Sequence, residues 1–498
     1  MRTEGRSIED FLPLLEAEEK LLASCRKGEA AIVGEETPKE QTDDNCVRAG
    51  FIRFLVLGGD EAAPVHERGV ELFGAWVKGH LDLEGAKAAH SLWLYKCKVE
   101  SIDLRQANIS AVGLDGSILD GELNGDSLQC EARVFLRNGF KAHGRVRFNG
   151  ARIGLIDCSN ASFFGGAEAL NCSGAVVLGG MFLRNSTFQG CVNLAAAQIG
   201  TDLDCSASEF LNKPGLALIC SRATVGGAFF WSKLKEVQGT LDFSAFKVGT
   251  LMDDQSSWDW TRGATFIDGF SYSRLLRPQS ENPETHIHWL LGQREKDLSK
   301  EFRPQPWEQV SAVLRETGYT DAARTVALAK HRAMRRAGRY VGGSRLWDWI
   351  YGTLVGYGYR PWTLLRVVAI VWAACTLIYW PAANPRLFGA EKHLLVPASG
   401  VADTACLLSR AAAGKTEPCE PKKPRYEDLF LPAFSAEVLI PVVSLGQKGE
   451  WRPRVSDEAG RVLYWGWVVR TVYWFEIFFG WLASLLLIAA VGNLIKKE

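Results

Sequence analysis

Between Gly69 and Arg274 the chain repeats a short unit, an apolar-x-apolar triplet followed within a few residues by a small one. It reads LDLEGA from Leu81, LWLYKC from Leu92, IDLRQA from Ile102, VFLRNG from Val134, VRFNGA from Val146 and IDCSNA from Ile156. It continues as LNCSGA from Leu170, MFLRNS from Met181, VNLAAA from Val192, LDCSAS from Leu203, LICSRA from Leu218 and LDFSAF from Leu241. No other feature constrains the fold as strongly, because a unit that cannot bury its apolar face alone must stack on its neighbours. Short alternating strands with glycine corners and no helix between them predict a parallel β-solenoid over 69–274, with two strand units in each coil of about 22 residues. About eight coils would stack to roughly 40 Å, and the usual hand of parallel crossovers makes the expected solenoid right-handed.

The middle residue of each triplet points outward, since successive strand residues face opposite ways. One class of strands shows Asp82, Asp103, Arg147, Asn171, Asn193 and Asp242, which reads as a solvated face. The other shows an exposed aromatic stripe, Trp93, Phe135, Phe182 and Phe230 with Met252, interrupted by Asp157 and Asp204. Such a stripe needs a cover, either the chain's own helices, another copy or a protein partner. Seven of the 12 cysteines fall in the repeat: Cys97, Cys130, Cys158, Cys172, Cys191, Cys205 and Cys220. With no CxxC in the chain, their recurrence at strand positions reads as small buried side chains stacking coil on coil rather than as a metal site.

Residues 1–68 read as an N-terminal helical cap, in which LPLLEAEEKLLASC and VRAGFIRFLVLGG carry apolar residues at helix spacing around the polar GEETPKEQTDDN. Residues 275–340 read as a helical hairpin connector. Pro306 sits in the first turn of PWEQVSAVLRETG, Gly318 ends that helix, and Thr320 or Asp321 caps TDAARTVALAKHRAMRRAG. The basic tail of the second helix suits anionic lipid headgroups. His286-Ile-His288 has no third ligand nearby and reads as an exposed or capping pair, not a metal site.

Two segments are too apolar for a water-soluble surface, WTLLRVVAIVWAACTLIYW from Trp362 and TVYWFEIFFGWLASLLLIAAVGNLI from Thr471. They predict transmembrane helices over 362–381 and 468–495, separated by an extracytoplasmic loop over 382–467. The first residues, MRTEGRSIEDFLPLLEAEEKLLASC, have no continuous apolar core of the kind a signal peptide needs. Lys330, His331, Arg332, Arg335, Arg336, Arg339, Arg345 and Arg360 crowd the approach to the first span, and Lys496 and Lys497 follow the second. Both termini are therefore expected in the cytoplasm. Cys406 and Cys419 then lie on the oxidising side and form a disulfide candidate.

Residues 341–361, with SRLWDWIYG, read as an interfacial amphipathic segment. Val355-Gly356-Tyr357-Gly358 spells most of a potassium-filter signature, yet it precedes the first span and has no membrane helix on its other side to enclose it. The segment 426–447, YEDLFLPAFSAEVLIPVVSLGQ, is too short and too broken by Pro432, Pro441 and Gly446 to cross, and reads as re-entrant. Glu476 is the only acid in either span, at a cost of roughly 3 kcal/mol on insertion scales. It is expected either to snorkel or to brace the re-entrant segment by accepting hydrogen bonds from its backbone or from Ser444.

The fold class expected is thus an α+β membrane protein: a right-handed parallel β-solenoid with helical caps, a helical hairpin and two transmembrane helices. With 57 basic and 57 acidic residues the formal charge is zero, which argues against a nucleic-acid partner. No GxGxxG after a strand, no CxxC and no CxxCH occurs, so neither a cofactor nor an enzymatic activity is expected.

The strand repeats with GA corners, FRPQPWEQVSAVLRETGYTDAAR, and GYGYRPW before the first span together resemble a family of uncharacterised bacterial membrane proteins with pentapeptide-like repeats. Some of its members carry an oxidoreductase label, which no motif here supports. About the last 75 residues also resemble two-transmembrane pore-loop channels. These place a Phe/Tyr-Ser pair on a pore helix, then a filter, then an inner helix with Glu four residues before Gly. The matching positions here are Phe434 and Ser435, then the loop with Pro441, Ser444, Gly446 and Gln447, then Glu476 and Gly480; Glu437 joins them as a pore-loop candidate. Where potassium channels have threonines and GYGD this chain has IPVVSLGQ, so potassium selectivity is not implied. The resemblances imply a homo-oligomer in a bacterial inner membrane, with lipid around the spans and a cytoplasmic protein partner for the solenoid. Conduction of ions and a non-conducting scaffold stand as alternatives.

Overall fold

The computed structural model describes residues 7–260, 263–277, 282–338, 352–354, 361–383, 394–397, 428–456 and 460–497. The chain divides into two compact units, 1–339 and 340–498. The VGYG motif, Cys406 and Cys419, and most of the 341–361 segment lie outside the described residues.

The first unit is a parallel β-solenoid of about 9 turns. Its coils have four walls, where the triplet pattern suggests two strands. One wall stacks Gln129, Arg152, Val176, Gln198, Thr224, Lys247 and Ser271 in register. The next stacks Val134, Ile156, Met181, Leu203, Phe229 and Leu251. The third and fourth run through Lys141, Ser162, Thr187 and Glu209, and through Val146, Leu170, Val192 and Leu218. Inward residues two apart fill the interior, as in Ala161 with Phe163, Ser186 with Phe188 and Ser208 with Phe210. The three phenylalanines stack with ring centroids 4.9 and 5.3 Å apart. The buried thiols are packing groups: burial pushes Cys97 up to about 12 and Cys130 to about 11, far from the thiolate range in which cysteine reacts or binds metal.

The corners explain the acidic and amide positions that read as a solvated face. Asp82, Asp103, Asn171, Asn193 and Asp242 each accept a hydrogen bond from the backbone N–H two residues on, and so do Asp157 and Asp204 in the aromatic wall. These are Asx turns, in which the side chain replaces a backbone acceptor and bends the chain. Each turn is followed by a residue with positive φ, and these fall into columns such as Asn138, Asn160, Asn185, Ala207 and Lys233. Ala207 occupies this left-handed region at φ 58 without the local hydrogen bonding that eases asparagine there. Ala207→Gly is therefore expected to stabilise the unit by about 0.5–1 kcal/mol, the relief of strain exceeding the added chain entropy. A lowered thermal midpoint would contradict this reading of the corner.

The aromatic stripe is half-buried rather than exposed. Trp93, Phe135, Phe182 and Phe230 alternate along one wall with Gly113, Asp157 and Asp204. Arg137 lies 3.6 Å over the Phe135 ring while bridging Asp115 and Asp157, and Arg184 lies 4.4 Å over Phe182 and pairs with Asp204. Phe135 and Phe182 are thus covered by cation–π stacking, with the arginine charge neutralised by a neighbouring coil.

At the N-terminal end the ladder starts before the glycine-rich repeat, with Ala31–Ile32 on Leu72–Phe73 and Cys46–Arg48 on Trp76–Lys78. Helices Glu16–Lys27 and Ala49–Val56 close this end. Glu18, wholly buried, holds Arg48 there at 2.5 Å. The other end is closed around Asp253 and Arg277, paired with side chains 0% and 1% exposed. Trp258 Nε1 donates to Asp253 at 2.6 Å and the Arg277 guanidinium lies 4.9 Å over Trp289. His286 faces this cluster and His288 faces Asp259 at 3.3 Å, so the two histidines point to different partners and not to a common ion. Helices Pro283–Leu291, Gln305–Glu316 and Thr320–Arg336 complete the unit, the last two forming the expected hairpin.

The second unit contains two helices long and apolar enough to cross a membrane, Trp362–Ala383 and Tyr464–Ala489. Only 17% and 22% of their most apolar windows are buried, unlike core helices of a water-soluble domain. A short helix, Leu431–Leu439, packs against both. Strands Leu395–Pro397 and Trp451–Pro453 pair antiparallel beside them.

Candidate functional site

The site lies where the short helix meets the two long ones. Leu431–Leu439 begins after an extended Phe430 and takes Pro432 in its first turn, where a missing N–H costs nothing. Its inward face carries Phe434, Ser435, Val438 and Leu439. Phe434 sits edge-on to Tyr379 at 5.3 Å and stacks near Tyr473 at 6.2 Å. Gly480 allows the long helix to touch the end of the short one: a Cβ there would overlap the Leu439 carbonyl oxygen.

Glu476, wholly buried, is the polar centre of this contact. Its Oε2 accepts from the Tyr379 hydroxyl at 2.7 Å, and its Oε1 accepts from the Ser435 hydroxyl. The carboxyl therefore links all three helices. It neither snorkels nor bonds Ser444, which is exposed on the loop; Ser435 and Tyr379 take the place expected for Ser444 because the short helix, not the loop, is what stands against Glu476.

A second buried acid secures the loop. Glu437 Oε2 accepts the backbone N–H of Gln447 at 2.6 Å and of Lys448 at 2.9 Å. The buried Gln447 side chain accepts from Phe430 N at 3.1 Å, which ties the loop's end to the helix's start. Between these clasps the loop carries Pro441, half-buried, then exposed residues through Gly446, which takes φ 76. Val442 is 88% exposed. Val443 N donates to Ile440 O at 3.1 Å, but no backbone hydrogen bond among the described residues involves the N–H or C=O of Val442, Ser444, Leu445 or Gly446.

No family model, curated protein or solved structure matches the chain. The resemblances named above thus have no independent support, and the site stands on its geometry. Sequence reasoning missed Tyr379, whose only signal is a hydroxyl in an apolar run. Among the described residues the one cluster with metal-ligand geometry is Asp82, Glu84 and Asp103. Arg105 already pairs with both Asp103 and Glu84 there, which leaves little charge for a cation.

Proposed function

We propose that the chain is a membrane-anchored homo-oligomer in which the loop 440–447 of each copy faces a shared, hydrated axis, and the solenoid binds a partner in the cytoplasm. The observation that carries this reading is the buried Glu437, which holds the end of a loop in which the backbone groups of Val442, Ser444, Leu445 and Gly446 have no backbone partner among the described residues. Unpaired N–H and C=O groups cost several kcal/mol each in lipid, so such a loop between two spanning helices is tolerated only against protein or water. Loop carbonyls turned toward such an axis would supply ligands for an ion path, and the residues give no ground for potassium selectivity. A non-conducting scaffold with the same anchoring is the second reading, favoured by the valine and leucine side chains at the loop's tip.

Oligomer mass in neutral detergent, with ion flux from liposomes, separates the readings: a multimer with flux fits the first, a multimer without flux the second, and a monomer contradicts both. For topology, a cysteine placed at Lys415 is expected to react with an impermeant thiol reagent on intact cells, and one at Glu71 to remain unmodified. The reverse pattern would overturn the orientation.

A further inference from the structure

We propose that the groove between helices Pro283–Leu291 and Thr320–Arg336 binds a phospholipid headgroup carrying both a phosphodiester and a primary ammonium, as phosphoethanolamine does. The groove has a volume of about 400 Å³. One wall is a single face of the second helix, where Arg332 and Arg336 stand one turn apart and both are exposed. Neighbouring cations are engaged, Lys330 by Glu308 at 3.1 Å and Arg324 by Asp321 at 3.3 Å. Arg332 and Arg336 make no ion pair among the described residues. Two guanidiniums at this spacing offer the forked donors that match phosphate oxygens.

The opposite wall presents Glu284, exposed and likewise without an ion pair among the described residues, while His288 is taken up by Asp259. A purely anionic ligand would meet repulsion from Glu284. A zwitterion with N–H donors finds a counter-charge on each wall. Between the walls the floor is apolar, with Ile287, Trp307 and the small Ala333, which suits the glycerol and first acyl carbons better than water. The lipid source rests on the membrane reading proposed above.

The test is native mass spectrometry of the full chain in neutral detergent with short-chain phosphatidylethanolamine, phosphatidylcholine, phosphatidylglycerol or inorganic phosphate. Phosphatidylethanolamine is expected to bind at least about tenfold more tightly than phosphatidylcholine, whose headgroup has no N–H to donate. Arg332→Gln with Arg336→Gln should abolish that binding. Glu284→Gln should retain phospholipid binding and remove the advantage over phosphatidylglycerol. All three lie on exposed faces, so unchanged circular-dichroism melting is expected and separates a lost site from lost structure. Equal binding of the ethanolamine and choline lipids, inorganic phosphate binding as tightly as lipid, or a polypeptide released by the double arginine change would each overturn the proposal. The detergent belt in the same spectra reports on the apolar helices. Lost lipid discrimination with the belt present overturns the groove alone, and a missing belt overturns the membrane reading while headgroup preference is still measured.

Discussion

Glu476→Leu is expected to free the loop 440–447 and break up the oligomer. Leucine is close to glutamate in volume, so packing changes little, but the hydroxyls of Ser435 and Tyr379 lose their acceptor inside an apolar contact. Each buried hydroxyl left without a partner costs about 1–3 kcal/mol. The sum is comparable to what holds a nine-residue helix in place. Limited proteolysis should then cut near Val442 at least about tenfold faster, as a shift above about 1.4 kcal/mol in the opening equilibrium implies. Glu476→Gln keeps an acceptor for one hydroxyl at least and should behave much closer to the original chain. Tyr379→Phe removes one donor, and about 1 kcal/mol with it. Equal cleavage rates for Glu476→Leu and the unaltered chain would show that the acid does not hold the helix.

The second large effect is expected at the closed end of the solenoid. Asp253→Ala removes the carboxylate that accepts from the Arg277 guanidinium, 1% exposed, and from Trp258 Nε1. Removing one partner of a buried pair costs about 3–5 kcal/mol, because the buried guanidinium loses its closest carboxylate. The last coils and the helices packed on them should melt first, at a lower temperature. Arg277→Met with Asp253→Leu removes both charges and is expected to recover most of the loss, since an apolar pair of similar volume has no charge to desolvate. A single Asp253→Ala that melts within about 0.5 kcal/mol of the unaltered chain would mean that this pair does not hold the closed end together.

What the sequence reveals and what it hides separate along physical lines. The solenoid is legible because its apolar triplets recur from Gly69 to Arg274. Its four walls are not, because residues such as Ser186 with Phe188 and Ser208 with Phe210 form inward pairs that a triplet reading leaves in the loops. The role of Asp103 or Asn171 is also hidden: an Asx turn and a solvated acid have the same composition, and only backbone geometry tells them apart. Arginines close in sequence cover Phe135 and Phe182 of the aromatic stripe, yet sequence alone does not show that Arg137 and Arg184 fold back over these rings. In the second unit, Glu476 is conspicuous as an acid in an apolar run. Its partner Tyr379 lies 97 residues away, a contact that neither spacing nor periodicity encodes.

In the proposed assembly the loop 440–447, closed by Glu437 and preceded by the helix that Glu476 fixes, meets its counterparts in other copies. Cross-linking tests it most directly. With a cysteine at Val442, the most exposed of the loop's apolar residues, a short bifunctional thiol reagent applied to membranes should join copies of the chain into covalent dimers. The joining should be lost when Glu476→Leu is added. Uniform modification of the Val442 cysteine with no covalent dimer, in membranes where the oligomer is otherwise intact, would place the loop away from the shared axis and contradict the account.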